Sequence, residues 1–282
     1  MDARSSILVG LIGAGIQASR TPRMHEHEGD AHALRYMYRL IDLDVLGLTV
    51  EALPDLILAA ARTGFAGLNI TYPCKQAVIP LLDELSADAE AIGAVNTVLF
   101  KSGRRIGFNT DWSGFAESFR RTLGDAPRER VLQLGAGGAG AAVAHALLKE
   151  DARHLVIVDT VHERADDLAR ALNARFGAGR ASAAVDAAAA IASADGLVNT
   201  TPMGMAKFPG MAVPKELIVP KLWVADVVYF PLETELLREA RLRGCRTMSG
   251  TGMAVFQAAD AFRLFSGRDP DAERMLRDFE SM

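Results

Sequence analysis

The run Gly135-Ala136-Gly137-Gly138-Ala139-Gly140 follows an apolar stretch at Val131–Leu134 and opens an alanine-rich one reaching Glu150. Alone, a Gly-x-Gly-x-x-Gly match is weak; between a strand and a helix each glycine acquires a task. The first gives a tight turn, the second lets backbone approach a pyrophosphate, and the third lets helix pack on strand. The helix N-terminus adds unpaired N–H groups and partial positive charge for phosphates. Asp159 ends the next apolar run, Leu155–Val158, 19 residues after Gly140. A carboxylate there accepts from both hydroxyls of an adenosine ribose and repels a 2′-phosphate, so NAD is favoured over NADP. Asp159 also suits a helix cap or turn. Arg164 complicates the choice, since a guanidinium could bind a 2′-phosphate or stack on adenine.

A dinucleotide implies hydride transfer, and hydride transfer needs a group that moves the hydroxyl proton. Two segments outside the glycine-loop region offer one: Asn69-Ile70-Thr71-Tyr72-Pro73-Cys74-Lys75 and Asn109-Thr110-Asp111. Lysine occurs six times against 25 arginines, so a lysine at a strand–helix turn carries some information. It can release a proton where arginine effectively cannot. By residue type alone a lysine at position 75 is more often a solvated helix residue. His25 suits loop orientation better than chemistry. His27, His32, His145, His154 and His162 show no metal-ligand spacing, and no metal is expected. Cys74 fits a small packing residue, Cys245 has no thiol partner in sequence, and Trp112 suits packing between domains.

The elements that must hold these residues divide into two halves. Ile7–Ile12 reads as a buried parallel strand, Met24–Tyr38 as a helix and Tyr38–Ile41 as a second strand. Glu51–Arg62, with Pro54 in its first turn, reads as a helix, and Gly67–Thr71 as a short strand. A further helix opens at Pro73 and carries Lys75. Asn96–Lys101 and Arg105–Asn109 form a hairpin about Ser102-Gly103-Arg104. A helix near Asp111–Arg128 bridges to a regular second half. There His162–Arg175 is amphipathic, and Leu197–Asn199, Trp223–Val228 and Thr247–Met248 are strands. Two helices follow Gly252, broken near Gly267 to Pro270. The fold class expected is α/β: a Rossmann-like nucleotide-binding domain over 116–250 plus a mixed-sheet α/β substrate-binding domain. The latter covers 1–115, completed by helices in 251–282, with the active site in the inter-domain cleft.

Composition sets outer bounds. The 282 residues are half hydrophobic and 23% charged, with 31 basic against 35 acidic side chains. This excludes a disordered or disulfide-framework chain and leaves no basic block for nucleic acid. No apolar run approaches the ~18 residues of a membrane span. The first residues lack a signal-peptide pattern and two distant cysteines fit reduced thiols, so a cytoplasmic location is expected.

Ser19-Arg20-Thr21-Pro22-x-x-His25, Asn69-Ile70-Thr71-x-Pro73-x-Lys75, Gly93-Ala94-Val95-Asn96-Thr97, Asn109-Thr110-Asp111, the glycine loop and Gln257-Ala258-Ala259 occur in that order. Together, over essentially the whole chain, they resemble the shikimate dehydrogenase family. Thr21 (usually serine) and Asp159 (usually within an Asn-Arg-Thr stretch) depart from the NADP-type pattern and look closest to the NAD-dependent quinate/shikimate dehydrogenases. The resemblance implies reversible oxidation of the ring 3-hydroxyl of shikimate, and of quinate, with Lys75 and Asp111 as the catalytic pair. It implies Ser19 and Thr21 at the substrate carboxylate with Tyr229 nearby, and Asn69, Thr71, Asn96 and Gln257 at the ring hydroxyls. Thr200, Pro202, Met203, Gly250 and Met253 would lie on the nicotinamide side. The alternatives are an NADP-dependent shikimate dehydrogenase and, more remotely, a catalytically silent nucleotide sensor. The chain would act as a monomer or homodimer.

Overall fold

The computed structural model describes residues 6–282, which fold as two compact units. One runs up to Thr110 and resumes at Gln257–Met282; the other is Asp111–Phe256.

The first unit carries β1 (Ser6–Gly13), β2 (Arg35–Asp42), β3 (Gly67–Ile70), β4 (Glu84–Leu85), β5 (Thr97–Lys101) and β6 (Arg104–Phe108). They form one sheet in the order β2-β1-β3-β5-β6-β4. β1 pairs parallel with β2 and β3, whereas β5 runs antiparallel to β3 and β6. The hairpin turns through Ser102 and Gly103, both at positive φ, as a tight two-residue connection requires. Helices α1 (Thr21–Ala31), α2 (Leu43–Leu46), α3 (Leu53–Arg62), α4 (Cys74–Ala77) and α5 (Ala87–Ile92) connect the strands.

Two boundaries differ from the sequence reading. The helix expected over Met24–Tyr38 ends at Ala31, and β2 begins at Arg35 rather than Tyr38. Tyr36 and Tyr38 alternate inward along β2, and Gly29 of α1 packs on the Tyr36 ring, so the segment is consumed by the sheet. Glu51 belongs to a 3-10 turn, and the α-helix starts at Leu53 with Pro54 in its first turn.

The second unit is a doubly wound parallel sheet of β7 (Arg130–Leu134), β8 (His154–Val158), β9 (Ala181–Ala183), β10 (Gly196–Asn199), β11 (Trp223–Asp226) and β12 (Arg246–Met248). Their order is β12-β11-β10-β7-β8-β9. The connecting helices are α6 (Asp111–Leu123), α7 (Gly138–Lys149), α8 (His162–Phe176), α9 (Ala187–Ile191) and α10 (Glu235–Leu242). The strand order reverses between β7 and β10, so the loops after these two strands meet at the switch point where such sheets bind ligands. Two cores cover the faces, one around Phe119, Leu147, Leu155 and Trp223, the other around Leu132, Leu197, Val224 and Leu237.

Helix α11 (Gly250–Ser266) starts in the second unit and ends in the first, followed by α12 (Ala272–Ser281). Phe262 and Phe265 of α11 pack with Tyr36 and Tyr38 against β1. α12 is tied to α1 by Arg274, which donates to both carboxylate oxygens of fully buried Glu28 at 2.7 and 2.8 Å. Among the described residues no helix is long and apolar enough to cross a membrane.

Candidate active site

In the first unit the motif residues converge on the ends of the central strands. Asp42, closing β2, accepts from the backbone N–H groups of Gly15 and Ile16 at 3.0 Å each and from Gln17 Nε2 at 2.9 Å. That holds the loop that delivers Ser19 and Thr21 to the start of α1. Ser19 Oγ accepts from Thr21 N at 3.3 Å, so the two predicted carboxylate ligands are brought together at a helix N-terminus. Arg20, between them, turns away: its guanidinium donates to the Phe279 carbonyl at 3.2 Å and lies over that ring.

Thr71 N donates to Ile12 O and Ala14 N to Tyr72 O, both at 2.9 Å, which staples the Asn69–Lys75 segment to the end of β1. A Cβ at Gly13 would strike the Thr71 side chain, so glycine is required for this approach. Lys75 is half-buried on α4, and its carbonyl accepts from Val95 N at 2.9 Å.

Behind this segment lies a buried polar chain. Tyr38 OH donates to Asn69 Oδ1 at 2.8 Å; Asn69 Nδ2 donates to Thr97 Oγ1 at 3.0 Å and, more weakly, to Asn96 O at 3.4 Å. Thr97 Oγ1 donates to Asn96 Oδ1 at 3.1 Å, which also accepts from Thr110 N at 2.7 Å. Asn96 Nδ2 donates to Thr110 Oγ1 at 2.9 Å and reaches Gln257 Oε1 at 3.4 Å. Both amide hydrogens of Asn69 are therefore spent within the protein, and what it offers a ligand is an acceptor lone pair. Asn96 is the hub of the frame, while half-buried Thr71 and Gln257 are the more accessible of the four predicted ring-binding residues.

The sequence reading assigned no role to Tyr38, Thr97 or Thr110. Thr97 and Thr110 sit inside quoted motifs and were open to notice; nothing in the sequence marks Tyr38. His25 is fully buried, with Nδ1 3.1 Å from Tyr36 Oη, and burial drops its pKa to about 3. It is a neutral structural group.

Asp111 opens α6 in the second unit, buried, with its charge at the positive end of the helix. Tyr229 is exposed and belongs to this unit, not to the one holding Ser19 and Thr21.

The glycine loop divides its tasks as the spacing requires. Gly135 has φ +98°, a conformation glycine adopts without strain, and a Cβ there would lie 2.7 Å from Thr200 Oγ1. A Cβ on Gly140 would lie 2.5 Å from Gly135 O, so α7 and β7 close on each other. A Cβ on Gly137 would meet nothing within 4 Å; this is the open side of the turn, at the N-cap of α7. Gly138 and Ala139 follow as the first residues of that helix. Backbone N–H groups of a first helical turn have no intrahelical partners, and the open cradle fits a pyrophosphate.

Two side chains lock this cradle from beneath. Gln133, fully buried on β7, donates to Gly135 O and Gly140 O at 2.9 Å each. Thr200 Oγ1 donates to Leu134 O at 2.7 Å and Gly135 O at 3.0 Å. Gln133 was legible as a lone polar residue in an apolar strand before the loop.

Asp159 Oδ2 accepts from Ala136 N at 2.7 Å and Oδ1 from Val161 N at 2.9 Å. It is thus a turn acid and also a carboxylate fixed beside the glycine loop, with lone pairs left over. Arg164 is exposed on α8. Of the remaining predicted cofactor residues, Pro202 is exposed and Met203 half-buried in the loop after β10. Gly250 is needed because a Cβ would strike the Val227 carbonyl, and Met253 packs into the core beside Met248.

Residues 11–98 match the family model for the shikimate dehydrogenase substrate binding domain, and residues 250–277 that for the shikimate 5′-dehydrogenase C-terminal domain. The chain is 59% identical over 281 residues to shikimate dehydrogenase (NADP(+)) of Streptomyces avermitilis, covering 99% of this chain and 97% of that protein. It is 50% identical to quinate/shikimate dehydrogenase (NAD(+)) of Corynebacterium efficiens, covering 98% and 99%. The solved structure of quinate dehydrogenase from Corynebacterium glutamicum in complex with NAD superposes with TM-score 0.94 at 47% identity, covering 99% of this chain and all of that one.

Proposed function

The chain belongs to the shikimate dehydrogenase family, and from that premise we propose that it oxidises shikimate and quinate reversibly at the ring 3-hydroxyl with NAD. The observation that carries the cofactor choice is the Asp159 carboxylate, held 2.7 Å from Ala136 N of the glycine loop. A fixed negative charge there pairs with ribose hydroxyls and repels a 2′-phosphate. NADP is the second reading, because the Streptomyces relative bears that cofactor in its name.

Bound NAD supplies the acceptor for the hydride that leaves the ring carbon. Gly135–Ala139 cradle its pyrophosphate, and Pro202 and Met203 border its nicotinamide. Ser19 and Thr21 hold the substrate carboxylate; Ser19 Oγ, though it accepts from Thr21 N, keeps its own hydrogen to donate. The N-terminus of α1 favours that negative charge. Thr71 and Gln257 read ring hydroxyls, with Asn69 contributing an acceptor. An analogue lacking a hydroxyl would leave such groups unpaired, which makes the reading selective.

Neutral Lys75 takes the hydroxyl proton at Nζ during oxidation, and its ammonium returns the proton in reduction. The Asp111 carboxylate accepts one of the amine's own hydrogens and so orients the Nζ lone pair towards that hydroxyl. The deciding experiment compares kcat/KM for NAD and NADP with shikimate and with quinate. A clear preference for NADP would sink the Asp159 argument.

A further inference from the structure

The loop after β10 is fastened by a carboxylate that lies outside it. Asp226, at the end of β11, is buried to 1% exposure, yet its three donors are all neutral. Asn199 Nδ2 and Val228 N donate to Oδ1 at 2.9 and 3.1 Å, and Thr234 Oγ1 donates to Oδ2 at 2.7 Å. Asn199 and Thr234 are themselves buried. Burying a charge with no cation beside it is costly. Joining two strand ends does not call for one.

Asn199 shows what the charge accomplishes. Its amide nitrogen also donates to Met203 O at 3.0 Å, and its oxygen accepts from Thr201 N at 3.1 Å and Thr201 Oγ1 at 2.6 Å. Thr201 Oγ1 in turn accepts from Met203 N at 3.2 Å. Three bonds of the turn from Asn199 to Met203, those from Thr201 N, from Thr201 Oγ1 and to Met203 O, thus depend on which way the Asn199 amide faces. The carboxylate decides it, because the flipped amide would set its oxygen against Asp226.

We propose that Asp226 is a positioning residue, which acts through Asn199 to hold the Thr200–Met203 loop in its working shape. This rests on the reading that the loop borders the nicotinamide. Loss of the acceptor at Asp226 lets the Asn199 amide flip, which strips Thr201 N of its acceptor and Met203 O of its donor. The glycine loop and Asp159 keep bonds that do not run through Asn199: Gln133 Nε2 to Gly135 O and Gly140 O, and Ala136 N to Asp159 Oδ2.

The test is Asp226→Leu, which removes both acceptor oxygens at about the same side-chain length, with amide hydrogen exchange, steady-state kinetics and ADP-ribose binding measured together. Exchange at Thr201 should quicken about tenfold or more, the effect of losing the hydrogen bond of that amide. The value of kcat should fall about tenfold, while the Kd for ADP-ribose stays within about twofold. Thr201→Val, which removes the acceptor of Met203 N at the far end of the chain, should quicken exchange at Met203 with the same kinetic pattern and serves if Asp226→Leu does not fold. Unchanged exchange at Thr201 in Asp226→Leu overturns the proposal. So does faster exchange with unaltered kinetics, and so does an equal loss of ADP-ribose affinity, which would mean general loosening. Failure of the underlying reading shows separately, as a wild-type protein that oxidises neither shikimate nor quinate with NAD, and exchange then still decides whether Asp226 holds the loop.

Discussion

Alanine at Gly137 and at Gly140 should injure two different properties, although the residues are three apart in one loop. At Gly140 the new Cβ lies 2.5 Å from Gly135 O and 3.0 Å from Thr200 Oγ1. An ordinary carbon–oxygen contact is roughly 3.3 Å, so something must retreat by about 0.8 Å. The carbonyl cannot do so freely, since Gln133 Nε2 and Thr200 Oγ1 both hold it. Overpacking of this kind costs about 1–3 kcal/mol, or about 2–12 °C in Tm at 2–4 °C per kcal/mol. At Gly137 the backbone is ordinary (φ −76°, ψ −169°) and the Cβ meets nothing. Only the cap preference is lost, about 0.5–1 kcal/mol. The methyl instead enters the space a pyrophosphate needs. The assay is thermal unfolding with and without NAD. Gly140→Ala should lower Tm of the free protein, whereas Gly137→Ala should leave it nearly unchanged and lose most of the NAD-induced rise. A tenfold weaker Kd removes about 1.4 kcal/mol of that protection. A Gly137→Ala protein protected by NAD as well as the wild type would refute the reasoning.

Lys75→Ala should reduce kcat by about 10²–10⁴-fold with little change in KM for shikimate, and activity kept within a few-fold would remove Lys75 from the mechanism. Asp159→Asn deletes the charge but keeps the shape, and should move the NAD-to-NADP ratio of kcat/KM towards NADP by about tenfold; an unmoved ratio would show that the carboxylate is only a turn residue. His25 has a folded pKa of about 3 against 6.5 unfolded, so its contribution is fully present above pH 6.5 and drains as pH falls towards 3. Below pH 6.5 this one group should cost up to about 1.4 kcal/mol per pH unit. Urea unfolding at pH 7.5 and 5 should therefore show a smaller acid loss for His25→Gln than for the wild type.

The nucleotide half was legible because its signals are local. An apolar strand, a glycine turn and an acid at the next strand end are all written within Val131–Asp159, and the parallel sheet follows from that rhythm. β9 escaped notice because Ala181-Ser182-Ala183 lies in an alanine-rich stretch without period, and pairing with β8 alone makes it a strand. The start of β2 was misplaced for a related reason: a polar helix and an alternating edge strand share residues of similar polarity, and only the packing of Tyr36 on Gly29 settles the point. In the site, the family resemblance supplied the proposed ligand-facing groups, but not their division of labour. That Asn69 has its donors spent, that Thr200 serves the glycine loop, and that Asp226 governs Asn199 depend on partners 27 to 66 residues away. Spacing along a chain carries no record of such bonds.

The return of the chain to its first unit at Gln257 bears on the order in which the protein can be made. Asp111–Phe256 is one continuous stretch, able to fold as soon as it has left the ribosome. The unit begun before it must wait, because the aromatic cover of β1 and β2 comes from Phe262 and Phe265. Glu28 waits longest. It needs Arg274, 246 residues further on, so the guanidinium that pairs with this buried carboxylate leaves the ribosome only near the end of synthesis. The piece that starts first is finished last.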